Sequence, residues 1–313
     1  LRTRAARLGV TGAADVAWSP ARWLELFALG GGECHTAVGH SQGRPVGTNG
    51  PLVEDRSACA QGGPAGRAGV RVAAPLGFEA LASAGSYVRV PVLGELYGLS
   101  GTVQGNPSLV PERGVTGELT ARWTGGAASG SVRAYADVTG FARFVEDLIV
   151  YRRSGPGSIM PFNVAESRVL GVEVAAGIDL FQHVRAQMAL TLSDPRNVTE
   201  GVSKDASLLP YHAAVTGTWA FDVHADPSAT IRFVDRVAVG ARWSYRSERY
   251  ADAARSFHLR EQRDLGLDAS AALLRRRVGV RASVSNLLDE PSQDLLGFPQ
   301  PGRTWSGVLE ASW

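Results

Sequence analysis

A period of two returns from one end of this chain to the other. In "TWSGVLEASW", residues 304–313, Trp305, Gly307, Leu309, Ala311 and Trp313 share one parity, and Thr304, Ser306, Val308, Glu310 and Ser312 share the other. Successive side chains of a β-strand point to opposite faces, so this is a strand with one apolar face. In 115–124, Val115, Gly117, Leu119, Ala121 and Trp123 oppose Thr116, Glu118, Thr120, Arg122 and Thr124. The alternation continues in 131–144, 169–180, 184–193, 213–223, 237–246, 264–274 and 277–286, and more weakly in 13–18, 22–29, 67–74 and 78–88. The count is about 13 strands of roughly 9–11 residues or more, the length a tilted strand needs to cross a bilayer.

The intervals between strands are sorted. Short ones fall at 19–22, 74–77, 125–130, 181–183 and 275–276; long ones fall at 30–65, 89–112, 153–163, 194–209, 250–262 and 287–302. The interval 224–235 should be short on this scheme and is longer than its siblings. Short turns at one end and long loops at the other are the layout of an outer-membrane barrel, whereas a soluble sandwich has no reason to sort its loops this way.

The two faces identify the solvent. One carries Val, Leu, Ala and Gly, with Trp123, Trp219, Trp243, Trp305 and Trp313 near strand ends. Aromatics at the water–lipid boundary form the girdles of such barrels. The other face carries Arg133, Asp137, Arg143, Glu173, Asp179, Arg185, Asp268 and Arg281. Unpaired charges are too costly for a dry core but suit a wet or plugged lumen. Mean hydropathy is −0.04 and no apolar run approaches the roughly 20 residues of a transmembrane helix. Alternating strands average to such a value, so the fold expected is all-β, a transmembrane antiparallel barrel portion.

Net charge is +2, which gives no case for a nucleic-acid partner. Lys204 is the sole lysine. The chain starts at Leu1 without a basic stretch followed by an apolar run, so a fragment or processed product is expected. Cys34 and Cys59 lie in one Gly/Pro-rich stretch that reads as a loop. A disulfide between them fits an oxidising compartment; two unrelated thiols fit the spacing too.

Two short stretches touch on catalytic and metal-binding patterns. "GHSQG", 39–43, matches the hydrolase nucleophile elbow with Ser41 as nucleophile. The elbow needs a following helix, which Pro45, Gly47, Gly50 and Pro51 oppose. His35, His40 and Cys34 lack the paired spacings of a zinc site. No cofactor, metal site or enzymatic activity is expected.

Several segments resemble one family. "GNPSLVPERGVTGELTARW" (105–123) resembles the Asn-Pro-x-Leu-x-Pro-Glu stretch and descending strand of TonB-dependent outer-membrane receptors. "ASAGSYVRVPVLGELYG" (82–98) resembles the Phe-Arg-x-Pro-x-Leu-x-Glu-Leu-Tyr segment upstream of it, with Tyr87 for the usual Phe and Val90 where Ala or Pro is frequent. "FNVAESRVLGVEV" (162–174) resembles the family's Asn…Gly-Val-Glu strand. "NLLDE" (286–290) followed by "PGRTWSGVLEASW" (301–313) resembles its Asn-Leu-Phe-Asp segment, Pro-Gly-Arg turn and last strand, with Leu288 replacing the aromatic. The resemblance covers about 80–313; residues 1–79 fit by strand pattern alone.

This resemblance implies a plugged barrel of about 22 strands. The chain would be its C-terminal portion, without plug domain, TonB box or roughly the first nine strands. The implied function is energised uptake of a scarce nutrient, such as a ferric siderophore or cobalamin, across the cell outer membrane. Implied partners are the TonB complex acting through the plug, the barrel-assembly machinery, outer-membrane lipid and lipopolysaccharide, and a metal-chelate or vitamin ligand. Trp313 resembles the terminal aromatic read by the assembly machinery and also suits an interface anchor. Tyr151, Arg152, Arg153, Arg255, His258 and Arg260 lie near outer strand ends, where they would suit an anionic chelate. Pairing with lipopolysaccharide phosphates fits the arginines as well. A passive channel without a plug is the alternative function.

Overall fold

The computed structural model describes residues 4–40, 61–99, 102–155, 158–203, 207–227 and 231–312. Its strands are β1 (Arg4–Ala21), β2 (Leu24–His40), β3 (Gln61–Ala73), β4 (Phe78–Arg89), β5 (Glu112–Gly126), β6 (Val132–Gly155), β7 (Ser158–Leu180), β8 (Val184–Asn197), β9 (Val215–Ala225), β10 (Val234–Arg246), β11 (Arg249–Tyr250), β12 (His258–Leu259), β13 (Gln262–Leu273), β14 (Val278–Ser285), β15 (Gln293–Leu295), β16 (Phe298–Pro299) and β17 (Thr304–Ala311). One five-residue helix, α1 (Leu93–Tyr97), interrupts the segment between β4 and β5.

Thirteen strands form one sheet in the order β1-β2-β3-β4-β5-β6-β7-β8-β9-β10-β13-β14-β17, every neighbour antiparallel and the order following the chain, with β11–β12 and β15–β16 set aside from it. The four remaining strands make the hairpins β11–β12 and β15–β16 above it. Among the described residues β1 and β17 are paired on one side only, so the sheet is an open trough with two free edges.

Register keeps each face intact across the trough. Arg122 opposes Asp137, Thr120 opposes Thr139, and Asp179 opposes Arg185. These pairs meet on the concave face: Arg122–Asp137 at 2.8 Å, Arg185–Asp179 at 2.6 Å and Thr120–Thr139 at 2.8 Å. Arg71–Glu79 and Arg67–Glu118 extend the ladder. The convex face is apolar and bare: Leu119 is 63% exposed, Val239 60% and Leu309 74%. An apolar surface of this extent is tolerated in lipid, not in water. Aromatics band it at two levels. Trp18 and Trp123 lie toward the short turns; Trp305 and the stacked pair Trp219–Trp243, 4.6 Å between centroids, lie toward the loops. Trp313 lies outside the described residues.

Aromatic side chains of the concave face lie across glycines on the neighbouring strand. Phe141 faces Gly171 and Tyr135 faces Gly177, where an added methyl would stand 2.3 and 2.4 Å from the rings. Glycine there lets the ring cover the neighbouring backbone.

Three expectations on boundaries are corrected. The first turn is Arg22–Trp23 rather than 19–22. The interval 30–65 is not all loop: β2 runs to His40 and β3 resumes at Gln61, so Cys34 stands on a strand opposite Val10 and Gly62. Pairing on both sides overrides the weak strand preference of "LGGGEC". The interval 153–163 is mostly strand, because β6 and β7 pair as far as Gly155 and Ser158. These 24- and 23-residue strands project beyond what a bilayer crossing needs.

Candidate functional site

The outer end of the trough is built from the segments between strands. The segment after β4 folds back onto β6 and β7 through polar groups. Arg89 donates to Glu112 at 2.8 Å and to Glu95 at 3.2 Å, and both carboxylates are buried. Glu112 also accepts the Ile149 N–H at 2.7 Å, and Glu95 accepts the Val92 N–H at 2.9 Å, which holds the first turn of α1. Asn106 donates to the Pro161 carbonyl at 2.9 Å. Asn163 donates to Val110 at 3.0 Å and Asp147 at 2.6 Å and accepts the Val110 N–H at 3.1 Å. Leu96, Leu109 and Ile149 close the apolar centre beneath. Arg7 of β1 donates to the Pro91 carbonyl, tying the segment to the first strand. The residues that carry the resemblance therefore do structural work: they hold an inter-strand segment against the wall.

The remaining outer segments are linked in series. Gln104 N–H donates to Ile159 at 2.9 Å and Ser154 donates to Gln104 at 3.2 Å, joining the segment after β4 to the β6–β7 tip. The Arg153 guanidinium lies 4.7 Å from the Phe257 ring centroid, joining that tip to the segment after β10. Tyr211 N–H donates to Tyr250 at 2.7 Å, which brings in the segment after β8. Arg249 donates to the Gln293 carbonyl at 2.6 Å, where Gln262 also donates at 2.6 Å, bringing in the segment after β14. Burial pushes the Tyr211 phenol up from its ordinary value, opposed by a hydrogen bond with the Leu296 backbone. Burial, reinforced by Arg246, pushes the Arg249 guanidinium down.

Three of the six candidate ligand residues come together. Arg153 stacks on Phe257, Arg255 lies 5.9 Å from the Tyr250 ring, and His258 meets Glu248 at 3.0 Å and Tyr250 at 5.5 Å between centroids. Tyr151 does not join them. Burial raises its phenol, with Glu95 adding to the effect, which places it beside the Arg89 network. Arg152 and Arg260 are exposed and outside the cluster. Sequence reading missed Phe257, Tyr250, Tyr211 and Arg249; loop aromatics carry no periodic signal to single them out. Inward of the cluster is a concavity of about 810 Å³ lined by polar groups including Thr191, Thr218, Arg246, Asp264, Asn286 and Asp294.

Among the described residues no group of three or more His, Cys, Asp and Glu side chains is arranged to hold a metal ion. His35 meets Glu33 at 3.0 Å. Ser41 and Cys59 lie outside the described residues, as does the side chain of His40.

The closing turn shows why "NLLDE" and "PGR" occur together. Asn286 donates to the Glu290 carbonyl and accepts the Glu290 N–H, both near 3 Å. Asp289 accepts the Arg303 N–H at 2.8 Å, while Arg303 Nε donates to the Leu287 carbonyl at 2.8 Å. Asn286 and Asp289 take φ of 48° and 56°, a region that Asn and Asp tolerate. A methyl on Gly302 would stand 2.7 Å from Asp289 Oδ1.

An apolar convex face, a charged concave face and braced outer loops define part of an outer-membrane β-barrel. Residues 42–287 match the family model "TonB dependent receptor-like, beta-barrel", and the chain belongs to that family. The match begins upstream of residue 80, where the sequence motifs start. Among solved structures the fold is similar to the "Copper transporter OprC", at TM-score 0.70 and 19% identity over 98% of this chain and 48% of that one. It is similar to the siderophore receptor PiuA from Acinetobacter baumannii at TM-score 0.70 and 14% identity, covering 98% and 43%. It is also similar to the ferric-catecholate import receptor Fiu from K12 E. coli at TM-score 0.66 and 16% identity, covering 97% and 44%. The chain spans about half the length of these structures.

Proposed function

We propose that residues 1–313 form the C-terminal portion of a receptor barrel of about 22 strands that imports a bulky anionic metal chelate. The carrying observation is the cluster Arg153, Phe257, Tyr250, Arg255 and His258, set outward of a polar concavity and joined to the β6–β7 tip and the segment after β8. Guanidinium and aromatic groups together suit a bulky anion that presents charged oxygens and flat aromatic faces, such as a ferric catecholate siderophore; a vitamin such as cobalamin is a weaker fit to this charge. The TonB complex would act through a plug domain supplied from outside this chain. The free edges of β1 and β17 support completion by further strands, since unpaired N–H and C=O groups are not tolerated in lipid. A Cys34–Cys59 disulfide, and recognition of Trp313 by the assembly machinery, belong to the same proposal.

The test is uptake of radiolabelled ferric chelates, catecholate and hydroxamate, by cells producing the intact protein, with and without a functional TonB complex. Energy-dependent uptake that falls at least tenfold in Arg153→Ala/Arg255→Ala supports the reading. Uptake that persists without TonB, together with open-channel conductance, would identify a passive channel instead.

A further inference from the structure

On the convex face of β7 and β8, two arginines stand directly opposite one another. Arg168 pairs in register with Arg196, one step above Leu170 and Asp194 and two above Val172 and Leu192. Like charges placed opposite on a ladder repel, so such a pair needs a counter-charge. Asp194 supplies one: Arg196 Nε donates to it at 2.6 Å, and an Arg168 Nη lies 3.6 Å from its other oxygen. Arg196 also donates to Ser207 at 3.3 Å. Two guanidiniums thus share a single carboxylate. Arg168 Nε is buried without a hydrogen-bond partner among the described residues. Its other cross-strand neighbour is Phe144, an apolar ring.

Height decides what can meet this pair. Arg168 and Arg196 each stand twelve residues above the strand end at the β7–β8 turn. At about 3.3 Å per residue and a tilt near 40°, that is roughly 30 Å of height, just above the roughly 25 Å apolar band of a membrane barrel. The exposed apolar residues Leu170, Val172 and Leu192 lie just below. One row higher, Glu146 and Glu166 oppose each other and would repel an anion. An anionic group with apolar chains beneath it therefore meets the surface at the arginine row.

We propose that Arg168 and Arg196 form a docking site for a phosphate group of an outer-leaflet glycolipid, its acyl chains lying on the Leu170–Val172–Leu192 surface. A phosphate between the arginines supplies the second counter-charge and acceptors for the solvent-facing parts of the two guanidiniums, which are 36% and 30% exposed. The site is independent of the nutrient imported. It rests on the convex face being lipid-facing.

The experiment is native mass spectrometry of the intact outer-membrane protein carrying this chain, released from detergent micelles containing diphosphoryl lipid A, its fully dephosphorylated counterpart, or inorganic phosphate. Each variant is first checked for heat-modifiable migration as a sign of a folded barrel. The parent should retain diphosphoryl lipid A at least fivefold better than the dephosphorylated lipid and should not retain inorganic phosphate alone. Arg168→Gln and Arg196→Gln should each lower that retention at least fivefold, and the concave-face control Arg281→Gln should leave it unchanged. Asp194→Asn, which removes the competing carboxylate, should raise it. Equal retention of the dephosphorylated lipid, tight retention of phosphate alone, or unchanged retention in folded Arg168→Gln, Arg196→Gln and Asp194→Asn would overturn the site. Loss of chelate uptake with lipid retention intact would count against the transport reading alone.

Discussion

Two arginines at the outer end, Arg89 half-buried and Arg249 buried, are held in opposite ways. Arg89 lies between Glu95 and Glu112, two buried carboxylates, one of which also accepts a backbone N–H from β6. Arg249 has 1% of its side chain exposed, yet its nearest carboxylate, Asp294, is 3.7 Å away and 55% exposed. One Arg249 Nη has no hydrogen-bond partner among the described residues. The first arrangement is a compensated charge, which fixes one geometry and is costly to break. The second is an under-compensated charge, which carries a desolvation cost in the closed arrangement. The segment after β4 is therefore built as fixed wall, while the segments after β10 and β14 are held with less to lose on opening.

The comparison breaks most readily at Glu112. Glu112→Ala leaves Arg89 with half its counter-charge and leaves the Ile149 N–H unmet. A destabilisation of about 2–3 kcal/mol is expected, chiefly from the buried Ile149 N–H left without an acceptor, since Arg89 is 38% exposed and keeps Glu95. It is read as a fall in the temperature of the heat-modifiable migration of the intact protein in detergent. A change below about 1 kcal/mol would mean that the Arg89 cluster is not a rivet.

Gly302→Ala tests how the segment after β14 is anchored. The new methyl meets the Asp289 carboxylate that accepts the Arg303 N–H. The expected cost is about 1–3 kcal/mol, the usual range for overpacking. The loss should be confined to hydrogen-exchange protection in 286–303, with the Arg89 region unchanged.

Arg249→Met sharpens the contrast with Glu112→Ala. It removes a buried donor that is already unmet, so global stability should change by less than about 1 kcal/mol in either direction. The contacts to Gln293 and Asp294 are lost, however. Exchange in 249–262 and 290–296 should quicken several-fold. A global loss as large as that of Glu112→Ala would erase the distinction between the segment after β4 and the segments after β10 and β14.

How much of this was legible in the sequence follows from what fixes each part. The thirteen-strand sheet was legible because lipid and lumen impose a strict period of two, and a slip of one residue would turn Arg122 and Asp137 toward lipid. The extensions of β2 and of the β6–β7 hairpin were not legible, since beyond the bilayer both faces meet water and the period fades. The motif residues Asn106, Glu112, Asn163 and Asp289 were visible as a resemblance, but their work as caps for backbone groups needed the fold. In the loop cluster, Arg153, Arg255 and His258 stand out in the sequence as charged residues near strand ends, whereas their partners Phe257 and Tyr250 do not. Those partnerships are set by how separate loops meet, and no local pattern encodes that.

The smallest expected effect concerns Tyr211, which links the segment after β8 to Tyr250 and Leu296. Its phenol is raised above the ordinary 10.0, chiefly by burial, so the folded arrangement favours the neutral form. A raised pKa contributes stability that is fully present below about pH 10 and is lost as pH rises through the folded value. The loop contacts should therefore be constant from pH 6 to 9 and weaken above pH 10. Spin labels on Ser256 and Ser292 of the intact protein give the readout. Their separation should broaden at pH 11 relative to pH 8 in the parent and stay constant with pH in Tyr211→Phe, which cannot ionise. A parent that is insensitive to this change would show that Tyr211 ionises without disturbing the loops. Its burial would then be incidental to how the outer segments hold together, and the link to the segment after β8 would rest on the Tyr211 backbone alone.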